Sequence, residues 1–275
     1  MAISAKDVKR LRELTGVGMM DCKKALQEAD GDFDAAIEIL RKKGQKVAAK
    51  RADRDAKEGL IVSAASEDGT VAALAEVNCE TDFVARNDDF QAFANDVINV
   101  ILAEQPADMA AFEALSYNGS TMGQAITEQT GKIGEKIGVR RFQVVKTDSG
   151  QVVSYIHPGS RLGVLVTMEG EGDLANAGRD VAMQVAALNP VATTPDEVPT
   201  EVKEKELEIG REQARNEGKP EHILDRIAEG KLKRYYKDNV LVQQPFVKDA
   251  SMTVEQMLKQ AKASVKGFVR YALGA

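Results

Sequence analysis

The chain has 275 residues, 43% of them hydrophobic, enough to bury the cores of two or three compact units. Its 37 Lys and Arg against 43 Asp and Glu give a net charge of −6, which argues against a general nucleic-acid coat, and the lack of Trp with only 5% aromatic residues leaves little material for stacking clefts. Only Cys22 and Cys79 are present, so no disulfide framework or cysteine zinc site is predicted; a reducing compartment fits.

The start, MAISAKDVKRLREL, has no apolar signal core, and no stretch approaches the roughly 18–20 apolar residues of a membrane span, so a soluble, cytoplasmic protein without a membrane partner is expected. Residues 4–44 read as three short helices. Ser4 caps the first, with Val8, Leu11 and Leu14 on one face, and Thr15-Gly16-Val17-Gly18 ends it. Met19, Met20 and Leu26 stripe the second, and Phe33, Ala36, Ile37 and Leu40 the third, which is predicted to end before Gly44. Eight basic side chains occupy residues 41–57; the run is either a solvated linker at 45–58 or an electrostatic patch for an acidic partner.

From Gly59 the period changes. Leu60 and Val62, then Val71, Ala73 and Leu74, flank the turn signal Glu67-Asp68-Gly69 and predict a β-hairpin. A helix from Asp82 to about Ala103 comes next, with helical patterns at 107–117 and 122–136, then a strand around Val139–Val145. The plan then repeats: a hairpin from Val152–Ile156 and Leu162–Val166, a helix opened by Asp173, and a late strand around Val265–Tyr271. Between them, 20 of the 38 residues at 201–238 are charged, with sparse apolar positions spaced by sevens and fours and a break at Gly218-Lys219-Pro220. That insertion, at about 199–237, reads as two antiparallel helices projecting from the core, either covered by a partner helix or a second copy of the chain, or solvated alone. The fold class is α+β: a three-helix module at 1–44, a linker at 45–58, and core subdomains with small antiparallel sheets at 59–150 and 151–275.

Enzyme chemistry finds little support. The chain has only His157 and His222, and no orienting residue supports a Cys79–His157 nucleophile pair. Gly131-Lys132 is followed by Ile133, so the Ser or Thr that a phosphate loop needs for magnesium is missing. Gly16-Val17-Gly18 lacks a third glycine and comes after a helix. Asp30, Asp32 and Asp34 imitate a calcium loop, but Ala35 and Arg41 stand where Gly and Glu are required. No cofactor, metal or catalytic residue is expected. One segment stands out, Asn78-Cys79-Glu80-Thr81-Asp82-Phe83-Val84-Ala85-Arg86-Asn87. Thr81 or Asp82 caps a helix whose first turn holds Phe83, which is either a staple on its own helix or an accessible ring for another protein's pocket.

Two segments carry a resemblance. Leu14-Thr15-Gly16-Val17-Gly18-Met19-Met20-Asp21-Cys22-Lys23-Lys24-Ala25-Leu26 and Glu76-Val77-Asn78-Cys79-Glu80-Thr81-Asp82-Phe83-Val84-Ala85-Arg86-Asn87 resemble the two signatures of the bacterial elongation factor Ts family. Ser154-Tyr155-Ile156-His157, Arg161–Val166 and Gln244-Pro245-Phe246-Val247 extend the similarity along the chain. The resemblance implies a UBA-like N-terminal module, a two-part core and an inserted coiled-coil hairpin. It also implies guanine-nucleotide exchange on elongation factor Tu, without covalent chemistry and without direct nucleic-acid binding. Carried over by motif, Thr81, Asp82, Phe83 and Val84 enter the GTPase and disturb its magnesium site. Val17, Gly18 and Met19 meet its nucleotide domain, and His157 and Arg161 its third domain. Many members continue into a C-terminal helix that also touches the GTPase, a contact expected to be absent from a chain reading to Gly274-Ala275. A protein-binding scaffold built on the three-helix module is the rival reading, and it gives no reason for an Asp-Phe wedge at the corner.

Overall fold

A computed structural model describes residues 3–275. Three helices come first: α1 (Ala5–Thr15), α2 (Met19–Glu28) and α3 (Phe33–Arg51). Ser4 and Asp7 form a reciprocal cap on α1, and Gly16 ends it at φ 65°, a left-handed conformation that costs glycine little. Val8, Leu11, Cys22, Ala25, Leu26, Ala36 and Leu40 make the buried centre of this bundle. Met19 and Met20, placed on the apolar stripe by periodicity, are 53% and 64% exposed, and Cys22 takes the buried position instead.

Helix α3 corrects the expected break at Gly44. It continues to Arg51, so half of the expected linker at 45–58 is helical. Gly44 is a contact rather than a terminator: it faces Gly131 so closely that a Cβ on Gly131 would lie 2.4 Å from the Gly44 Cα. Two facing glycines let helix backbones approach where any side chain would hold them apart.

The hairpin β1 (Glu58–Ala65) and β2 (Val71–Cys79) leads into α4 (Asp82–Ala85), α5 (Asp88–Glu104) and α6 (Met109–Ala114). A short ribbon, β3 (Ser116–Tyr117) and β4 (Ser120–Thr121), precedes α7 (Met122–Ile133) and β5 (Gly138–Lys146). The single helix expected from Asp82 is in fact two. The Asn87 side chain accepts from the amides of Asp89 and Phe90 at 2.9 and 3.3 Å, starting α5 afresh and leaving α4 as one isolated turn. The first sheet has the order β1-β2-β5. Helix α5 buries Phe90, Phe93, Val97, Ile98 and Ile101 along one side.

The second part contains β6 (Gln151–Ile156), β7 (Leu162–Gly170), α8 (Leu174–Leu188), α9 (Thr200–Asn216) and α10 (Leu224–Asn239). It ends with β8 (Pro245–Phe246), β9 (Asp249–Thr253), α11 (Val254–Gln260) and β10 (Ala263–Ala272). Strands β10, β7 and β6 form an antiparallel sheet in that order, with Val269 opposite Leu165 and Val153 opposite Val166. Val164, Val166 and Met168 of β7 pack with Val181 and Val185 of α8 and with Val254 and Leu258 of α11. Periodicity gives no indication of β8, β9 or α11. Helices α9 and α10 pair through small residues: a Cβ on Gly210 would meet the Ala228 Cα at 2.9 Å.

Two compact units result, one of Met1–Val62, Ala75–Phe142 and Leu273–Ala275, the other of Ser63–Leu74 and Gln143–Ala272. This division differs from the expected boundary between 150 and 151. The hairpin tip joins the second unit because the Thr147 amide donates to the Thr70 carbonyl at 2.9 Å and the Val152 amide to the Gly69 carbonyl at 2.8 Å. In the first unit Glu76 is fully buried, and its carboxylate accepts from Arg141 Nε at 2.8 Å, the Asn78 side-chain amide at 3.1 Å and the Gly274 amide at 3.1 Å.

Helix propensity alone favours Ala over Gly by about 1 kcal/mol, but forcing an extra carbon into a closed contact costs about 1–3 kcal/mol. Gly131→Ala is therefore expected to lower stability in urea unfolding. Gly230→Ala, in α10 with open space around it, is expected to gain up to about 1 kcal/mol. A stabilised Gly131→Ala would show that α3 and α7 separate freely.

Candidate functional site

Where β2 ends, the chain turns through Glu80 and Thr81 into the single turn of α4, and short-range and long-range bonds together fix that corner. Thr81 has extended backbone geometry and caps α4, its hydroxyl accepting from the Val84 amide at 3.4 Å. The Glu135 carboxylate, in the loop after α7, takes the Thr81 amide on Oε2 at 3.0 Å and the Thr81 hydroxyl on Oε1 at 2.8 Å. One residue earlier, Glu80 accepts from Arg51 Nη1 with both oxygens, at 2.7 and 2.8 Å, and from the Lys136 amide at 2.6 Å. The Lys136 ammonium in turn donates to the carbonyls of Ala52 and Arg54 at 2.6 and 3.0 Å, where α3 has just ended. Burial raises the Glu80 carboxyl, but the Lys136 amide and the Arg51 guanidinium outweigh it and hold its pKa below the ordinary carboxylate value.

On this rigid base sit the two residues of most interest. Asp82 is paired with Arg86 at 2.7 Å across one turn. Phe83 is 78% exposed, which weighs against a staple packed on its own helix. Val84 is half-buried and Ala85 buried, so one face of the turn is anchored while the ring projects from another. An exposed phenyl ring on a turn whose backbone is tied by hydrogen bonds is suited to entering an apolar pocket, since the backbone has little freedom left to lose.

Behind the corner Cys79 is fully buried, and its thiol donates to the Thr81 carbonyl at 3.2 Å. Burial first, then the nearby Glu135 carboxylate, push its pKa up to about 12. Full burial and a raised pKa both disfavour the thiolate, which weighs against the Cys79–His157 nucleophile pair.

The other sequence-derived residues lie at two loops. Val17, Gly18 and Met19 join α1 to α2 in the first unit; the Cys22 thiol donates to the Val17 carbonyl at 3.4 Å, and the Gly18 carbonyl accepts from the Asp21 and Cys22 amides. Leu14, Met19 and Met20 expose more than half their surface around this loop. His157 and Arg161 occupy the turn between β6 and β7 in the second unit. The His157 amide donates to the Leu162 carbonyl at 2.9 Å, and a 2.9 Å hydrogen bond joins Tyr155 Oη and His157 Nδ1. Sequence reasoning missed Glu80, Glu135, Lys136 and Arg51, whose partners lie 29 to 84 residues away. Among the described residues, no group of three or more His, Cys, Asp and Glu is disposed to hold a metal ion, and no helix is long and apolar enough to cross a membrane.

Comparison with known proteins gives a consistent picture. A family model described as Elongation factor TS matches residues 80–275. The Elongation factor Ts of Amoebophilus asiaticus is 50% identical over 282 residues, covering 100% of both chains. That of Alkalilimnicola ehrlichii is 51% identical over 274 residues, covering 100% of this chain and 93% of its own. That of Prosthecochloris aestuarii is 47% identical over 285 residues, with 99% of each covered.

Two measurements check the geometry of the corner. Because the Glu80 pKa is depressed in the folded protein, its contribution is fully present above the unfolded value of about 4.3 and is lost as the pH falls through the folded value. Glu80→Gln is expected to melt lower than the unchanged protein at pH 7, and the gap is expected to close below about pH 4; a gap independent of pH would show that the charge is unimportant. In native protein at pH 8 the Cys79 thiol is expected to resist alkylation and to react on unfolding, as peptide mapping would reveal.

Proposed function

The chain belongs to the elongation factor Ts family, and from that premise we propose that it is a guanine-nucleotide exchange factor that binds the GDP form of elongation factor Tu and promotes GDP release. The observation that carries the proposal is Phe83, 78% exposed on a corner whose neighbouring residues are held by carboxylates and buried packing. In this reading the Thr81-Asp82-Phe83-Val84 turn enters the GTPase, the ring fills an apolar pocket, and the magnesium site is disturbed. Magnesium bridges the nucleotide phosphates and GTPase side chains, so moving its ligands weakens GDP without any chemistry on the nucleotide.

Linkage sets the terms. A factor that binds the nucleotide-free GTPase more tightly than the GDP form by some factor must weaken GDP by the same factor. Burying a phenyl ring contributes about 1.5–3 kcal/mol, or roughly 10- to 100-fold in affinity. One exposed ring thus supplies a useful share of that factor. No covalent step is required, in keeping with a Cys79 thiol pushed up to about 12.

The remaining assignments rest on the same reading. Helices α1–α3 are the UBA-like module, with Val17, Gly18 and Met19 set against the nucleotide domain of elongation factor Tu, an assignment that the exposed Leu14, Met19 and Met20 support. His157 and Arg161 meet its third domain. Helices α9 and α10 are the coiled-coil hairpin, available to a partner helix or to a second copy of the chain. The protein works in the cytoplasm on a protein partner, not on nucleic acid or a membrane.

Purified protein is expected to accelerate release of labelled GDP from elongation factor Tu, and Phe83→Ala to lose most of that acceleration, about tenfold or more. Its melting temperature should hold, since an exposed side chain contributes little to stability. Equal GDP release with and without the protein would end the proposal. A Phe83→Ala variant as active as the unchanged protein would sink the wedge.

A further inference from the structure

We propose that Glu135 is a positioning residue for exchange: it touches no nucleotide or GTPase atom itself but fixes the direction in which the Thr81–Val84 turn presents Phe83. The inference rests on the exchange reading above and adds a residue that neither signature segment contains.

Three observations lead to it. The corner is a single helical turn, too short to be stable alone, because nucleating one turn fixes several backbone angles for very few hydrogen bonds. Its direction must therefore be imposed from outside. Glu135 imposes it in the most restrictive way available to one side chain, with two oxygens on two different donors of Thr81, the amide at 3.0 Å and the hydroxyl at 2.8 Å. Two bonds to one residue fix both its position and its rotation, and charged acceptors make such bonds strong. Thr81 is also the cap of the turn, so its orientation passes directly into α4 through the Ala85 amide on the Thr81 carbonyl at 3.2 Å.

The loop that carries Glu135 is itself pinned. It begins after Gly134, which ends α7 in a left-handed conformation at φ 82°. Lys136, the next residue, gives its amide to Glu80 and its ammonium to the carbonyls of Ala52 and Arg54. The clamp is thus a fixed post and not a mobile arm. A ring turned away from its pocket loses much of the roughly 10- to 100-fold that burying it supplies, which is why a residue remote from the GTPase can matter to the rate.

The test is a set of GDP-release curves against factor concentration for the full chain and elongation factor Tu. Glu135→Ala is expected to lower the saturating rate about tenfold, the lower end of what burying the ring supplies, with a smaller change in the half-saturating concentration and no matching loss of melting temperature. Glu135→Gln is expected to keep most of the rate, because its amide can accept from the Thr81 amide and donate to the Thr81 hydroxyl. In the Phe83→Ala background, Glu135→Ala is expected to have no further effect, since a residue that acts only by aiming the ring has nothing left to aim. Full activity of Glu135→Ala, or an equal loss in both backgrounds, overturns the proposal. Should Glu135→Ala fail to fold, Glu135→Asp keeps the charge but falls one methylene short of the two Thr81 donors, and it is read by the same two backgrounds. Failure of the exchange reading is a separate outcome, with the unchanged protein itself leaving GDP release unaltered.

Discussion

The backbones of α3 and α7 meet at Gly44 and Gly131, and the candidate site depends on that meeting. Helix α3 brings Arg51 to the end of β2, and α7 delivers the loop Gly134-Glu135-Lys136 to the same place. Were the helices held apart by ordinary side chains, both sets of donors and acceptors would move away from Glu80 and Thr81 together. Ion pairs reinforce the arrangement along α3, with Arg41 on Glu128 at 3.1 Å and Lys43 on Asp21 at 2.5 Å. These pairs are exposed, so each contributes little, and the close backbone contact is the stronger constraint.

Carboxylates organise the neighbourhood of the corner. Glu76, Glu80 and Glu135 each accept from backbone amides as well as from side chains. Glu76 is fully buried and the other two are partly so; ionic groups in such settings give modest net stability, because desolvation cancels much of the attraction. Their effect is to make one arrangement far better than its neighbours. For a single helical turn that carries an exposed ring, that selectivity matters more than the free energy gained.

Charge is distributed unevenly along the chain. Residues 1–57 carry 14 basic and 10 acidic side chains, a net +4 against −10 for the remainder. Much of the basic run that reads as a linker is engaged: Arg41, Lys42, Lys43 and Arg51 pair with Glu128, Glu38, Asp21 and Glu80. In the helical insertion, Arg211 bonds Asp225 of α10 and Arg215 bonds Glu221 in the turn just before it, so α9 is tied at the rim by ion pairs to α10 and its approach, and at the centre by Gly210 against Ala228. A stripe too thin to be covered by large apolar residues is closed instead by small ones and by distance.

The sequence by itself determined the features that depend on near neighbours. Ser4, Thr81 and Asp173 cap the helices that begin just after them, Asp68-Gly69 turns a hairpin, and the spacing of apolar residues separates helices from strands. The α+β order and the corner at Thr81 were therefore legible. Tertiary structure decided the features that depend on residues far apart. Gly44 reads as a helix end until Gly131 lies against it. Met19 and Met20 fit an apolar stripe until the bundle packs on Cys22 instead. Phe83 is compatible with burial or exposure until the fold leaves it 78% exposed. The Glu135 clamp lies 54 residues from Thr81, and no local pattern encodes it, because a carboxylate's partners are chosen by where the chain returns and not by the residues beside it.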